Sequence, residues 1–232
     1  MYLNFVNYFR ATAIIFIVAG HCFFISDFSF SSDFVNILVS ILMGGSSFFV
    51  FISGFLFYHV FYKNFNFYKF THKKVKFVLY PYLIMSFPQV IFYIFFGNNI
   101  QPYFRPIGDG IVNLYIIPFL KYYFTGFGIY SYWYVPFVML IFLMSPIFIS
   151  FIRLKLNAKL FIIFPLLLIS TLIHRPVGNS AYGVIQSVIY FLPIYLIGII
   201  SSENKTLIYS YLKGKVLFPL KSWTSYAAIL KI

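Results

Sequence analysis

Between Tyr8 and Ile25 the chain reads YFRATAIIFIVAGHCFFI. The stretch is apolar enough to span a bilayer, yet it holds an arginine near its start and a histidine near its end. Ionisable side chains are costly inside hydrocarbon, so two of them in one candidate membrane helix point to a functional site. Arg10 and His21 are eleven residues apart. At about 100° per residue that is three turns plus about 20°, so both point to one side, roughly 16 Å apart along the axis. The plainer reading is that Arg10 reaches back to the interface and His21 bonds a neighbouring helix.

Only 9% of the residues are charged and 62% are hydrophobic, against about 25% charged in soluble domains. The chain is therefore read as all-α, a polytopic transmembrane helix bundle. A net charge of +13 would suit nucleic acid in a soluble protein. In a membrane protein it reads as positive-inside loops and contact with anionic membrane lipid, with no nucleic acid. The single cysteine, Cys22, excludes an intrachain disulfide and a cysteine metal cluster. It neighbours His21, but adjacent helical residues diverge by about 100°, so the two cannot face each other as nucleophile and base. Only Arg10 precedes the first apolar core, and His21 stands where a lipoprotein cleavage box needs a small residue, so this segment reads as an uncleaved helix.

About six spans follow from the apolar runs. Residues 34–62 are too long for one helix across the core, and Gly44-Gly45-Ser46-Ser47 divides them into a lead-in and a second span, Gly45 to Tyr62. Ser46 and Ser53 share a face of that span with Ser47 and Gly54 beside them, a seam that lets another helix approach. Lys63 to Lys76 reads as a basic loop. A third span covers about Phe77 to Phe96 with Pro88 inside, and a mixed loop follows whose middle, Ile111 to Phe124, suits the interface. The fourth span is about Tyr134 to Ile152, the fifth about Leu160 to Ile173, and the sixth about Val184 to Ile200. Residues 1–200 thus form a membrane domain and 201–232 a basic cytoplasmic tail. Of the 17 Lys and Arg residues, the great majority follow spans two, four and six, which places the N-terminus and the tail in the cytoplasm. Trp133 then falls at the outer interface, where an aromatic belt would explain it. No carboxylate lies within a span, so none is assigned to orient His21.

Four stretches, in order, resemble the acyltransferase 3 family of bacterial integral-membrane O-acyltransferases. They are Arg10-x2-Ala13 through Val18 to His21, and Phe48-Phe49-Val50-Phe51-Ile52-Ser53-Gly54-Phe55. The third is Lys73-Lys74-Val75-Lys76 leading into Tyr80-Pro81-Tyr82, and the fourth is Trp133-Tyr134 with Ser145-Pro146. The resemblance covers about residues 4–200. It implies transfer of an acyl group, most often acetyl, from cytoplasmic acyl-CoA (acetyl-CoA) to a hydroxyl of a surface polysaccharide such as an O-antigen or exopolysaccharide, in the bacterial inner membrane. Acyl-CoA is the donor substrate, and no bound cofactor is implied. His21 becomes the candidate base, since imidazole titrates near neutrality, with Arg10 beside it on the catalytic stripe. Arg10, Lys73, Lys74 and Lys76 become the candidate contacts to the donor phosphates. Ser53 and Trp133 become candidate substrate contacts, with close helix packing and an aromatic belt as the plainer readings.

Two features depart from the family pattern. Lysines stand where it usually carries arginines, a point charge in place of a bidentate fork. The family has about ten helices against six here, so the chain reads as lacking C-terminal helices and as a truncated product. No serine-nucleophile motif is present, so direct transfer and an acyl-enzyme both stand open. Two other classes are weighed. A coupled transporter or polysaccharide flippase usually keeps a carboxylate in the membrane and is built from broken-helix repeats, neither of which the sequence displays. An inactive membrane fragment is the third.

Overall fold

The structure is a computed structural model, and it describes residues 4–25, 33–96, 102–106, 108–126, 132–173 and 181–211. Asp27, the corner His174-Arg175-Pro176 and the tail lysines beyond residue 211 lie outside the described residues. Every regular element among the described residues is helical. Helix α1 covers Asn4–Ile25, α2 Asp33–Met43 and α3 Gly45–Leu56, the last prolonged by a π turn at Phe57–Phe61 and a 3-10 turn at Tyr62–Asn64. Helix α4, Phe67–Lys74, passes through a π turn at Val75–Leu79 into α5, Tyr80–Phe96. A third π turn, Val112–Ile116, leads into α6, Ile117–Thr125. Then come α7, Tyr134–Leu143, α8, Ser145–Ile152, α9, Leu156–Ile173, and α10, Ala181–Glu203. After a turn at Asn204 the chain is helical again over 205–211.

Four of these runs are long and apolar enough to cross a membrane: Asp33–Asn64, Phe67–Phe96, Leu156–Ile173 and Gly183–Glu203. The bent pair α7 and α8 makes a fifth, and the apolar stretch Val6–Cys22 of α1 completes the six segments marked by the sequence. The protein is an all-helical membrane bundle.

The basic segment after the second span is a helix rather than a loop. The Asn66 side chain accepts the backbone N–H of Lys69 at 2.9 Å, an N-cap that starts a helix at Phe67. Phe70 then anchors it, with ring centroids 5.0 Å from Phe61, 5.7 Å from Phe57 and 5.7 Å from Phe142. The fourth span is not straight: α7 and α8 meet at 53°. Pro146 has no N–H to give, and in an unbroken helix its ring would crowd the carbonyl of Phe142, which favours a bend at this point. The fifth and sixth helices are longer than their apolar cores, because the polar residues at their ends, Lys159 and Glu203, bond each other. Helix α10 accordingly runs past residue 200, where the tail was expected to begin.

Ile111 to Phe124 is helical, a π turn at Val112–Ile116 leading into α6. It packs antiparallel along α5, with ring contacts Tyr115 to Phe95, Phe119 to Phe87, and Tyr123 to Tyr82. Two hydrogen bonds fasten its far end: the Tyr82 hydroxyl donates to the Tyr123 carbonyl at 2.7 Å, and the Tyr123 hydroxyl to the Leu83 carbonyl at 2.9 Å. Gly126 ends α6 in the left-handed conformation, φ 67°, its N–H returned to the Tyr122 carbonyl, a geometry that favours glycine. Tyr132, just before α7, is again beside Tyr82, with ring centroids 5.7 Å apart. Helices α6 and α7 are thus two half-helices in series. Their break lies about 20 Å, thirteen residues of α5, from the Phe95 end.

The core forms where α3 crosses α10. Gly54 lies on the carbonyl of Tyr195 and Gly198 on the carbonyl of Phe51, and a Cβ at either position would overlap that backbone. Small residues of this kind let two membrane helices approach closely. Around the crossing, Phe57 meets Phe148 at 5.9 Å and Tyr195 at 6.3 Å, and Phe148 meets Tyr195 at 4.7 Å.

Candidate functional site

Helix α1 turns Val6, Ala13 and Gly20 into the bundle, where it packs on α3. Counted from Ala13 at about 100° per residue, Arg10 lies about 60° and His21 about 80° round in the same sense. The two therefore share one flank of the helix beside the buried stripe. The opposite flank carries Phe9 and Phe16, whose rings meet Phe48 at 5.5 and 5.6 Å. Arg10 is exposed and His21 is half-buried.

The three lysines of the basic motif divide. Lys73 and Lys76 are exposed. Lys74 is half-buried, and its ammonium sits 4.3 Å from the ring centroid of Phe142 and 5.3 Å from those of Phe61 and Phe70. Such a cage favours a cation electrostatically, so in this conformation Lys74 is held by the aromatic core. Helix α1 packs chiefly on α2 and α3 while α4 packs on α7, so the fold does not set Arg10 directly against the α4 lysines.

Ser53 and Trp133, far apart in sequence, are brought together. The Ser53 hydroxyl hydrogen-bonds the phenol of Tyr134, next to Trp133. The Trp133 ring stacks on Phe191 at 6.0 Å and 20° and lies 5.9 Å from Phe137. Phe191 is about midway along α10. Trp133 is partly buried, its ring packed on α10 through Phe191 and on its own helix through Phe137. The Ser53–Gly54 seam, the break between α6 and α7, and Tyr195 all meet there.

The structure adds residues that sequence reasoning passed over. The ammonium of Lys159, 1% exposed, pairs with Glu203 at 2.5 Å. Glu203 thus closes the last turn of an apolar span, so one carboxylate does stand at a span end. Lys205 Nζ lies 2.9 Å from His59 Nδ1. The available signal for the first pair was that Glu203 is the sole glutamate and follows the last apolar run.

The architecture defines a class: a polytopic helical membrane protein whose polar side chains gather at one helix flank, one broken span and one bundle end. Residues 3–230 match the acyltransferase 3 model, described as an acyltransferase domain. The chain belongs to that family, a membrane acyltransferase. Comparison with curated proteins and with solved structures finds no match.

Proposed function

We propose that the protein transfers an acyl group, acetyl foremost, from a cytoplasmic acyl-CoA-type donor to a hydroxyl of an extracytoplasmic carbohydrate acceptor, in a bacterial inner membrane with both termini inside. The observation that carries this reading is that, within a chain matched by the acyltransferase model over 3–230, Arg10 and His21 occupy one flank of α1. They stand about three turns apart, roughly 16 Å. That separation suits an arginine binding the donor near one membrane face and a base serving the acceptor toward the other.

His21 removes the proton from the acceptor hydroxyl. The hydroxyl oxygen attacks the thioester carbonyl, a C–O bond forms, the C–S bond breaks, and the thiolate takes the proton from the imidazolium. Arg10, Lys73 and Lys76 bind donor phosphates, the two lysines being exposed. Lys74 joins them only by leaving its aromatic cage. Ser53 and Trp133 contact substrate at the start of α7, by a hydrogen bond and by stacking on an apolar face. The positive-inside distribution supports the orientation.

The test is acceptor acylation at matched membrane abundance. His21→Ala should lose about 10²- to 10⁴-fold, whereas His72→Ala, at an exposed position of α4, should change little. A His21→Ala protein that keeps more than about a tenth of the activity removes His21 from the mechanism. The half-helices α6 and α7 favour a second reading, a transporter or flippase, since broken spans line many carrier sites. Gradient-dependent flux of the polysaccharide without its acylation would establish that reading instead.

A further inference from the structure

The helical run of α3 and helix α10 end side by side, and the cationic side chains of Lys63 and Lys205 lie at this end. Lys205 Nζ stands 2.9 Å from His59 Nδ1. An ammonium can only donate, so the ring nitrogen accepts and the imidazole is neutral, with its N–H at Nε2. Two ammonium N–H groups and the imidazole N–H are left, among the described residues, to donate further. Among the described residues, Glu203 is the acid at this end, and it is held by Lys159. Lys63, in the turn that follows, adds positive potential at His59.

Two further observations define the place. Ser202 is 0% exposed, and its hydroxyl has no hydrogen-bond partner among the described residues. It lies on the stripe of α10 that faces α3, between Gly198, which touches Phe51 and Phe55, and Lys205, which reaches His59. His59 itself sits within the π turn Phe57–Phe61, and an interrupted helical ladder of this kind recurs at functional sites.

We propose that His59 and Lys205, with Lys63 beside them, form a binding site for a phosphate-class anion. A phosphate presents several acceptor oxygens and negative charge, the complement of the Lys205 ammonium and the His59 N–H. The chemistry is shared by two sources, the phosphate of a nucleotide-type donor and the headgroup of an anionic lipid. The site is separate from the exposed Lys73 and Lys76 of α4. Binding is read without turnover, so the proposal stands or falls apart from acyl transfer.

The experiment uses the full chain in nanodiscs of neutral phosphatidylcholine. Adenosine 3′,5′-bisphosphate is titrated calorimetrically, and retention of added phosphatidylglycerol is read by native mass spectrometry. Lys205→Gln should weaken binding of one probe roughly tenfold and His59→Gln several-fold, as loss of charge-assisted hydrogen bonds implies. Lys205→Arg should keep binding, which separates loss of the site from loss of the fold. The exposed Lys155→Gln should change nothing. Weakened nucleotide binding with unchanged lipid retention assigns the site to a soluble phosphate, and the reverse assigns it to lipid. Binding of neither probe, or equal weakening by Lys155→Gln, overturns the proposal.

Discussion

Helices α9 and α10 are nearly equal in hydropathy, yet they hold opposite positions. Of the apolar window, 17% is buried in α9 and 44% in α10. On α9, Phe161, Phe164 and Leu172 are 81%, 64% and 77% exposed, large side chains suited to lipid. Helix α10 instead places Gly198 against α3 and buries Ser187, Tyr195 and Ser202. Apolar side chains gain nothing by leaving lipid for protein, so hydropathy decides which segments enter the membrane and small residues decide which become the hub. The two helices are joined by the Ser170 hydroxyl donating to the Tyr190 carbonyl at 2.8 Å and by the Gln186 amide donating to the Ile173 carbonyl at 3.0 Å.

The sharpest way to break this contrast is Gly198→Leu. Its side chain has nowhere to go but into the Phe51 backbone, and the variant should lose about 4 kcal/mol or more, seen as failure to recover folded monomer from detergent. The matching change on α9, Leu168→Ala at a half-exposed position, should stay within about 0.5 kcal/mol. If both changes proved equally damaging, the hub-and-periphery distinction would fail.

The bond between the two helices comes next. Lys159→Ala leaves the partly exposed Glu203 carboxylate without its partner and should cost about 2 kcal/mol in thermal unfolding, because a half-desolvated acceptor loses its charge-assisted hydrogen bond. The exposed Lys155→Ala should cost almost nothing. Joint replacement, Lys159→Met with Glu203→Gln, should recover most of the loss. A joint variant no better than Lys159→Ala alone would show that the lysine acts through packing rather than charge.

The smallest effect belongs to the hydrogen bond at the α3–α7 contact. Ser53→Ala and Tyr134→Phe should each cost about 1 kcal/mol, and the double variant should cost less than their sum, since both remove one bond. Additive costs would mean that Ser53 and Tyr134 do not act on each other.

Much of the local plan was legible in the sequence. The flank shared by Arg10 and His21 and the small-residue seam at Ser53-Gly54 depend on spacing within one helix, which periodicity fixes, whereas Gly44, expected to divide residues 34–62, is a single turn within the apolar run Asp33–Asn64. The N-cap at Asn66 was also local, but the lysines after it read as a loop because the eye follows charge before caps. The packing of Trp133 on Phe191 of α10 was not legible, because it joins residues 58 positions apart, and the course of α6 before it is set by the rings of Tyr82, Phe87, Tyr93 and Phe95 on another helix.

By itself the sequence determined that this chain is a helical membrane protein, where its six apolar segments lie, and which family it resembles. Each of these follows from composition, hydropathy and short motifs, properties of residues near one another along the chain. The tertiary structure alone decided that α10 is the hub, that the fourth span is divided, and that Lys159 meets Glu203 and Lys205 meets His59. The partners in those two pairs stand 44 and 146 residues apart. Such pairs form only when helices pack, because a charged or polar group near hydrocarbon must find a partner and the crossing of α3 with α10 determines which one is within reach.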